Sequence, residues 1–117
     1  MKNITLYHNP RCSKSRETLT LLQQQGVEPE VILYLETPPS VAELKTLLQQ
    51  LGFSSARELM RKKEDTYQEL KLSDETLSEE QLLAAMVANP KLIERPIVVK
   101  GNQARIGRPP EQVLEII

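Results

Sequence analysis

The one cysteine and the one histidine of this chain share a basic, polar stretch, His8-Asn9-Pro10-Arg11-Cys12-Ser13-Lys14-Ser15-Arg16. An apolar run of strand type, Ile4-Thr5-Leu6-Tyr7, precedes it, and a helix-like run from Glu17 to Gln25 follows it. Cys12 is thereby expected at a strand-to-helix turn, close to the helix N-terminus. Unpaired backbone N–H groups converge at such a place, and the helix dipole adds partial positive charge. That environment favours a thiolate over a thiol and also suits an oxyanion. Arg11, Lys14 and Arg16 add positive charge nearby. The chemistry implied is a thiolate nucleophile working beside a bound anion. A lone free cysteine is commonly just a small buried hydrophobe, but the neighbours of Cys12 are polar and basic rather than core-like.

His8 has two readings of equal weight. As an imidazolium it would help hold the Cys12 thiolate; otherwise it is a polar residue that ends a strand. Three arginines stand at the ends of elements, where functional side chains project from a scaffold. Arg61 comes late in a short middle helix, Arg95 directly precedes Pro96, and Arg108 lies between Gly107 and Pro109-Pro110. A guanidinium matches a tetrahedral oxyanion through its planar fork of donors. Taken singly, each is more readily an ordinary solvated arginine, and spacing alone does not bring the three to Cys12.

Two absences narrow the chemistry. Position 18 is Thr, so the Cys-x5-Arg loop of tyrosine-phosphatase-type thiolate enzymes is missing. Position 15 is Ser, so the motif is Cys-x-x-Ser, and no internal disulfide can form. Any thiol chemistry at Cys12 must be resolved by a thiol from another molecule.

The elements that must position these residues read in order. Residues 3–7 form a strand. The next helix is capped by Ser15 or Ser13, buries Leu19 and Leu22, and stops at Gly26. Glu30 to Leu35 forms a second strand whose run Val31-Ile32-Leu33 suits cover on both faces. Strand, helix and strand within about 30 residues make a βαβ unit with a parallel pair and a right-handed crossover. After the break at Thr37-Pro38-Pro39, Ser40 and Glu43 form a capping box. Leu44, Leu47, Leu48 and Leu51 then line a helix that ends at Gly52. Ser55 to Lys63 is a short helix with Leu59 and Met60 inward, and Thr66 to Leu72 is another. Ser78 and Gln81 repeat the capping pattern before a helix with Leu82, Leu83, Met86 and Val87 on its apolar face. Pro96-Ile97-Val98-Val99 and Ala104-Arg105-Ile106 pair as a hairpin across Lys100-Gly101-Asn102-Gln103. Pro109 opens a last helix with Val113, Leu114 and Ile117 inward. The order βαβ, helices, ββα predicts a single α/β domain over 1–117 with a helical insertion at about 40–90.

Composition is consistent with this. A chain of 117 residues can bury a core without disulfides or a structural metal. One Cys and one His make a closed Cys/His zinc site unworkable, so no metal is expected. A net charge of −1 gives no global basic field for nucleic acid or an anionic membrane. No apolar run approaches the roughly 20 residues that span a bilayer. Sparing cysteine use, and a start at Met1-Lys2-Asn3 that leads straight into a strand, fit a reducing cytoplasmic compartment.

At this point the sequence resembles the glutaredoxin-coupled arsenate reductase family (the ArsC family), and within it the short bacterial members often named YfgD. The resemblance rests on Tyr7-His8-Asn9-Pro10-x-Cys12-x-x-Ser15-Arg16, Ile32-Leu33-Tyr34-Leu35-Glu36-x-Pro38-Pro39, Leu59-Met60-Arg61-Lys62, Arg95-Pro96-Ile97-Val98-Val99 and Arg108-Pro109. It implies a thioredoxin-like fold, Cys12 as nucleophile, and Arg61, Arg95 and Arg108 as oxyanion ligands. It implies that His8 lowers the cysteine pKa, that Ser15 hydrogen-bonds the sulfur, and that the Arg95–Pro96 bond is cis. The implied activity is reduction of arsenate to arsenite by a monomer, with no bound cofactor, with glutathione as cosubstrate and with glutaredoxin as partner. Arg11 and Lys14 make the motif more basic than in the best-known reductases, and the chain ends at Ile117 where those continue with a charged tail. Two other readings remain, in this order: a glutaredoxin-like thiol transferase, and a non-catalytic Spx-like regulator that binds RNA polymerase.

Overall fold

The structure, a computed structural model, describes residues 4–117. Asn3, the expected first residue of the opening strand, and the Met1–Asn3 lead lie outside them. The chain divides into two compact units, Met1–Thr37 with Arg95–Ile117, and Pro38–Glu94.

The first unit is built on a four-stranded sheet of β1 (Ile4–Tyr7), β2 (Glu30–Ile32), β3 (Ile97–Lys100) and β4 (Gln103–Ile106), in the order β2-β1-β3-β4. β1 lies parallel to β2, with Leu6 opposite Val31, and antiparallel to β3, with Leu6 opposite Val98. β3 and β4 form the expected hairpin, with Val99 opposite Ala104, and Gly101 takes φ +62° in its turn. Such left-handed backbone is what a two-residue hairpin turn asks of glycine. The helix α1 (Ser13–Gln24) supplies Leu22 to a core that also holds Ile4, Leu6, Val98, Val113 and Ile116. Ile4 and Leu6, two residues apart, share one face of the strand.

Three expectations in this unit need correction. The second strand stops at Ile32 rather than Leu35, because the Leu33 carbonyl is used by a turn and accepts from the Glu36 and Thr37 N–H groups, both at 2.9 Å. Nor is it covered on both faces. β2 is an edge strand, and Val31 and Leu35 are 42% and 43% exposed. The last helix is 3-10, Pro110–Glu115, with Pro109 outside it as the N-cap. Its period of three places Val113 and Ile116 on the buried side and turns Leu114 outward.

The second unit is helical: α2 (Val41–Leu51), α3 (Asp65–Glu69), α4 (Glu79–Ala88), and 3-10 turns over Ala56–Leu59 and Pro90–Leu92. Ser40 with Glu43, and Ser78 with Gln81, form the capping boxes read from the sequence. A further box joins Ser55 and Glu58. The expected helix over 55–63 is only the 3-10 turn, after which Met60 bridges to Ile93 in extended backbone. Leu44, Leu47, Leu59, Leu82, Leu83 and Met86 are buried, as their spacing requires. Among the described residues no helix is long and apolar enough to cross a membrane.

Candidate active site

The stretch between β1 and α1 is a hydrogen-bonded loop centred on Asn9. The Asn9 carbonyl accepts from the Cys12 N–H at 3.0 Å, and its Oδ1 accepts from the Arg11 N–H at 3.0 Å. The Asn9 N–H donates to Ser15 Oγ at 3.0 Å. Asn-Pro is a turn signal, and the Asn side chain closes the turn on its own backbone. Sequence reasoning gave Asn9 no role; the turn signal was the available clue.

This loop sets Cys12 as the N-cap of α1, in extended backbone (φ −93°, ψ 124°), and its carbonyl accepts the first helical bond from Arg16 at 3.0 Å. Neither Ser13 nor Ser15 is the N-cap of the helix, and the Cys12 side chain makes no cap hydrogen bond. The N–H groups of that turn lack intrahelical partners by construction, so they are available to an anion. Ser13 is instead the first helical residue, and Ser15 is turned to the buried side.

Ser15 Oγ lies 2.6 Å from His8 Nδ1, and both residues are buried. Burial and the neighbouring Arg16 charge depress the His8 pKa from its usual 6.5. This environment favours the neutral ring over the imidazolium, one of the two readings open from the sequence. With the proton on Nε2, the Ser15 hydroxyl donates to Nδ1. With the proton on Nδ1, Ser15 Oγ accepts twice and its own proton serves a third group.

Arg108 reaches the sulfur. Its Nη2 donates to Cys12 Sγ at 3.8 Å, and its Nε donates to the Arg95 carbonyl at 2.8 Å. Gly107 aims it: the Gly107 N–H bonds the Pro96 carbonyl at 2.9 Å. A Cβ at Gly107 would stand 2.5 Å from Thr18 Oγ1 and 2.8 Å from Pro96 Cγ, so only glycine lets α1 approach here. The Arg95–Pro96 bond is cis, as the resemblance implied, and so is Arg108–Pro109. The first unit thus holds Cys12, His8, Ser15, Arg95 and Arg108. Arg61 belongs to the second unit, where its Nη1 pairs with Glu64 at 2.6 Å and its Nε with Glu94 at 3.6 Å. Its N–H donates to the Leu92 carbonyl at 2.7 Å.

A cysteine at a helix N-terminus with a guanidinium on its sulfur is suited to attack an oxyanion centre. Comparison with known proteins gives the lineage. The profile of the ArsC family matches residues 7–116. The chain belongs to the ArsC family. It is 69% identical over 116 residues to the YfgD protein of Escherichia coli strain K12, covering 99% of this chain and 98% of that one. It is 48% identical over 115 residues to an arsenate reductase of Haemophilus influenzae, covering 98% and 99%. The solved structure of an arsenate reductase from Vibrio cholerae superposes with a TM-score of 0.96 at 64% identity, covering 97% of each chain. The ArsC fold is thioredoxin-like α/β, and this ArsC chain shares it.

Proposed function

We propose that this protein reduces arsenate to arsenite, with glutathione and glutaredoxin as the source of electrons. The observation that carries the reading is the Arg108 guanidinium on Cys12 Sγ at the uncapped start of α1. The arsenate reductase names of relatives near half identity support it.

Cys12 thiolate attacks arsenic(V); a sulfur–arsenic bond forms and an arsenate oxygen leaves as water. The first-turn N–H groups, Arg108 and Arg95 bind the remaining oxygens and oppose the charge that builds on them. Arg61 joins them as a ligand of the same anion, with Glu64 and Glu94 fixing its guanidinium plane. Ser15, with its hydroxyl proton released by the Nδ1–H form of His8, donates to the sulfur. Glutathione then attacks arsenic, and a second oxygen leaves as water. A glutaredoxin thiolate takes the glutathione sulfur, the arsenic–sulfur electron pair stays on arsenic, and arsenic(III) results. Water releases arsenite and restores the Cys12 thiol. The protein acts as a cytoplasmic monomer, a single domain with the 40–90 segment as a helical insertion.

The reductant is tested by following arsenite release with glutathione alone, with glutaredoxin alone and with both. Multiple turnovers only with both are expected. Equal multiple turnover with thioredoxin in place of the pair overturns this choice of electron source.

A further inference from the structure

A groove of about 590 Å³ runs along α1 on its solvent side, within the size range of small-ligand sites. One wall is the helix, from Ser13 and Lys14 down to Leu21 and Gln24; the other is Pro109, Pro110 and Glu111. Both walls of the groove thus start next in sequence to the residues that meet at the sulfur, Cys12 and Arg108. We infer that it binds the peptide part of the resolving thiol, glutathione, with its sulfur toward Cys12. This rests on the reading of Cys12 as a nucleophile resolved by an external thiol.

Three features select that occupant. First, the lone cysteine needs a thiol brought from outside, held next to Sγ. Second, the lengths agree. Lys14 to Gln24 spans about 15 Å of helix, and an extended tripeptide needs about 10 Å. Third, the charges are mixed. Lys14 and Arg16 supply cations, and Glu17 and Glu111 supply carboxylates. Glutathione carries two carboxylates and one ammonium, and so needs both signs. A plain oxyanion or a neutral thiol needs neither arrangement.

The cations and carboxylates can make this exchange. Lys14 Nζ is 3.6 Å from Glu17 Oε2, and both side chains are about half exposed, at 46% and 55%. Such an exposed pair holds weakly, so a carboxylate of the peptide competes readily for Lys14. Arg16 is steadied by donating from Nη1 to the Pro10 carbonyl at 2.9 Å, which leaves the rest of its fork for a ligand. Pro109 and Pro110 give a rigid wall that loses no side-chain freedom on binding. Leu21, half-buried in the helix wall, receives the methylenes of the γ-glutamyl arm.

The test uses S-methylglutathione, which cannot form a bond to Cys12 or arsenic, titrated into the 15N-labelled protein. The inference expects saturable amide shifts in residues 13–24 and at Glu111 and Gln112, in wild type and in Cys12→Ser alike. Lys14→Glu, an exposed change that leaves the core untouched, should weaken the apparent affinity by about five-fold or more, equivalent to roughly 1 kcal/mol. Shifts confined to other surfaces, or none at ~10 mM peptide, where a millimolar site is largely filled, overturn it. So does equal affinity in the Lys14→Glu protein. Because no arsenate is present, a failed arsenate assay and a failed peptide titration are separate results.

Discussion

Arg108 Nη2 sits 3.8 Å from Cys12 Sγ while its Nε is anchored on the Arg95 carbonyl at 2.8 Å. One guanidinium thus ties the end of the hairpin to the start of α1. The anchor uses the Nε donor, and Nη2 of the same fork faces the sulfur. Arg108→Lys keeps the charge and loses the fork. It should lower kcat/KM for arsenate by about 10- to 100-fold, short of the 10²–10³-fold cost of deleting a dedicated oxyanion donor. Steady-state kinetics check this, and an unchanged kcat/KM removes Arg108 from the site.

Ser15 holds two groups, the buried His8 Nδ1 and the part-buried Asn9 N–H. Ser15→Ala leaves both without their partner. The expected cost is about 1–3 kcal/mol of stability, read as a lowered midpoint in urea unfolding. A midpoint equal to wild type would mean that water replaces the hydroxyl at no cost.

The same pair gives the protein a pH dependence of stability. The folded state lowers the His8 pKa below 6.5, so the unfolded chain binds a proton more readily. Stability then falls as pH drops through 6.5 toward the folded pKa, and levels off below it as far as His8 is concerned. His8→Gln should flatten that limb between neutral and mildly acidic pH. A wild-type limb retained in His8→Gln would assign it to carboxylates instead.

Gly107 lies where a Cβ meets Thr18 and Pro96. Gly107→Ala must push α1 away from the end of β4 or strain the Pro96 ring. A loss of about 1–3 kcal/mol is expected, as for other overpacked sites, together with reduced arsenate turnover because Arg108 follows directly. Thermal unfolding and kinetics on one preparation check both parts. Full activity with full stability contradicts the packing account.

Much of this was legible in the sequence, and the misses have common causes. Glycine φ requirements, capping boxes and leucine spacing depend on neighbours within a turn, so Ser40–Glu43, Ser78–Gln81 and Gly52 came out as expected. The run Val31-Ile32-Leu33 misled because an apolar run reports β propensity, not the number of neighbouring strands; β2 has one neighbour. Ser13 and Ser15 were plausible caps by type. Which serine caps depends on where the loop ends, and the Asn9 bonds move that point to Cys12. The His8–Ser15 contact joins residues seven apart across a strand end and a helix, and no periodicity marks it. The place of Cys12 at a strand-to-helix turn was legible because the apolar strand run before it and the helical run after it fix the ends of both elements.

Arg61 carries two acidic neighbours, Glu64 and Glu94. If it binds arsenate, Arg61→Gln should raise KM more than it lowers kcat, since charge is removed from ground state and transition state together. Stability should also fall, because Glu64 and Glu94, each about one-quarter exposed, lose the guanidinium they face. A kcat loss with KM unchanged would instead place Arg61 in transition-state stabilisation alone.

The most direct test of the central claim is arsenate-dependent NADPH oxidation, coupled through glutathione reductase with glutathione and glutaredoxin, on wild type and Cys12→Ser in parallel. Cys12 is half-exposed and makes no side-chain cap, so Cys12→Ser should fold normally. The account predicts turnover by the wild type and none above background by Cys12→Ser. Equal turnover by both, or none by a folded wild-type protein, would contradict it.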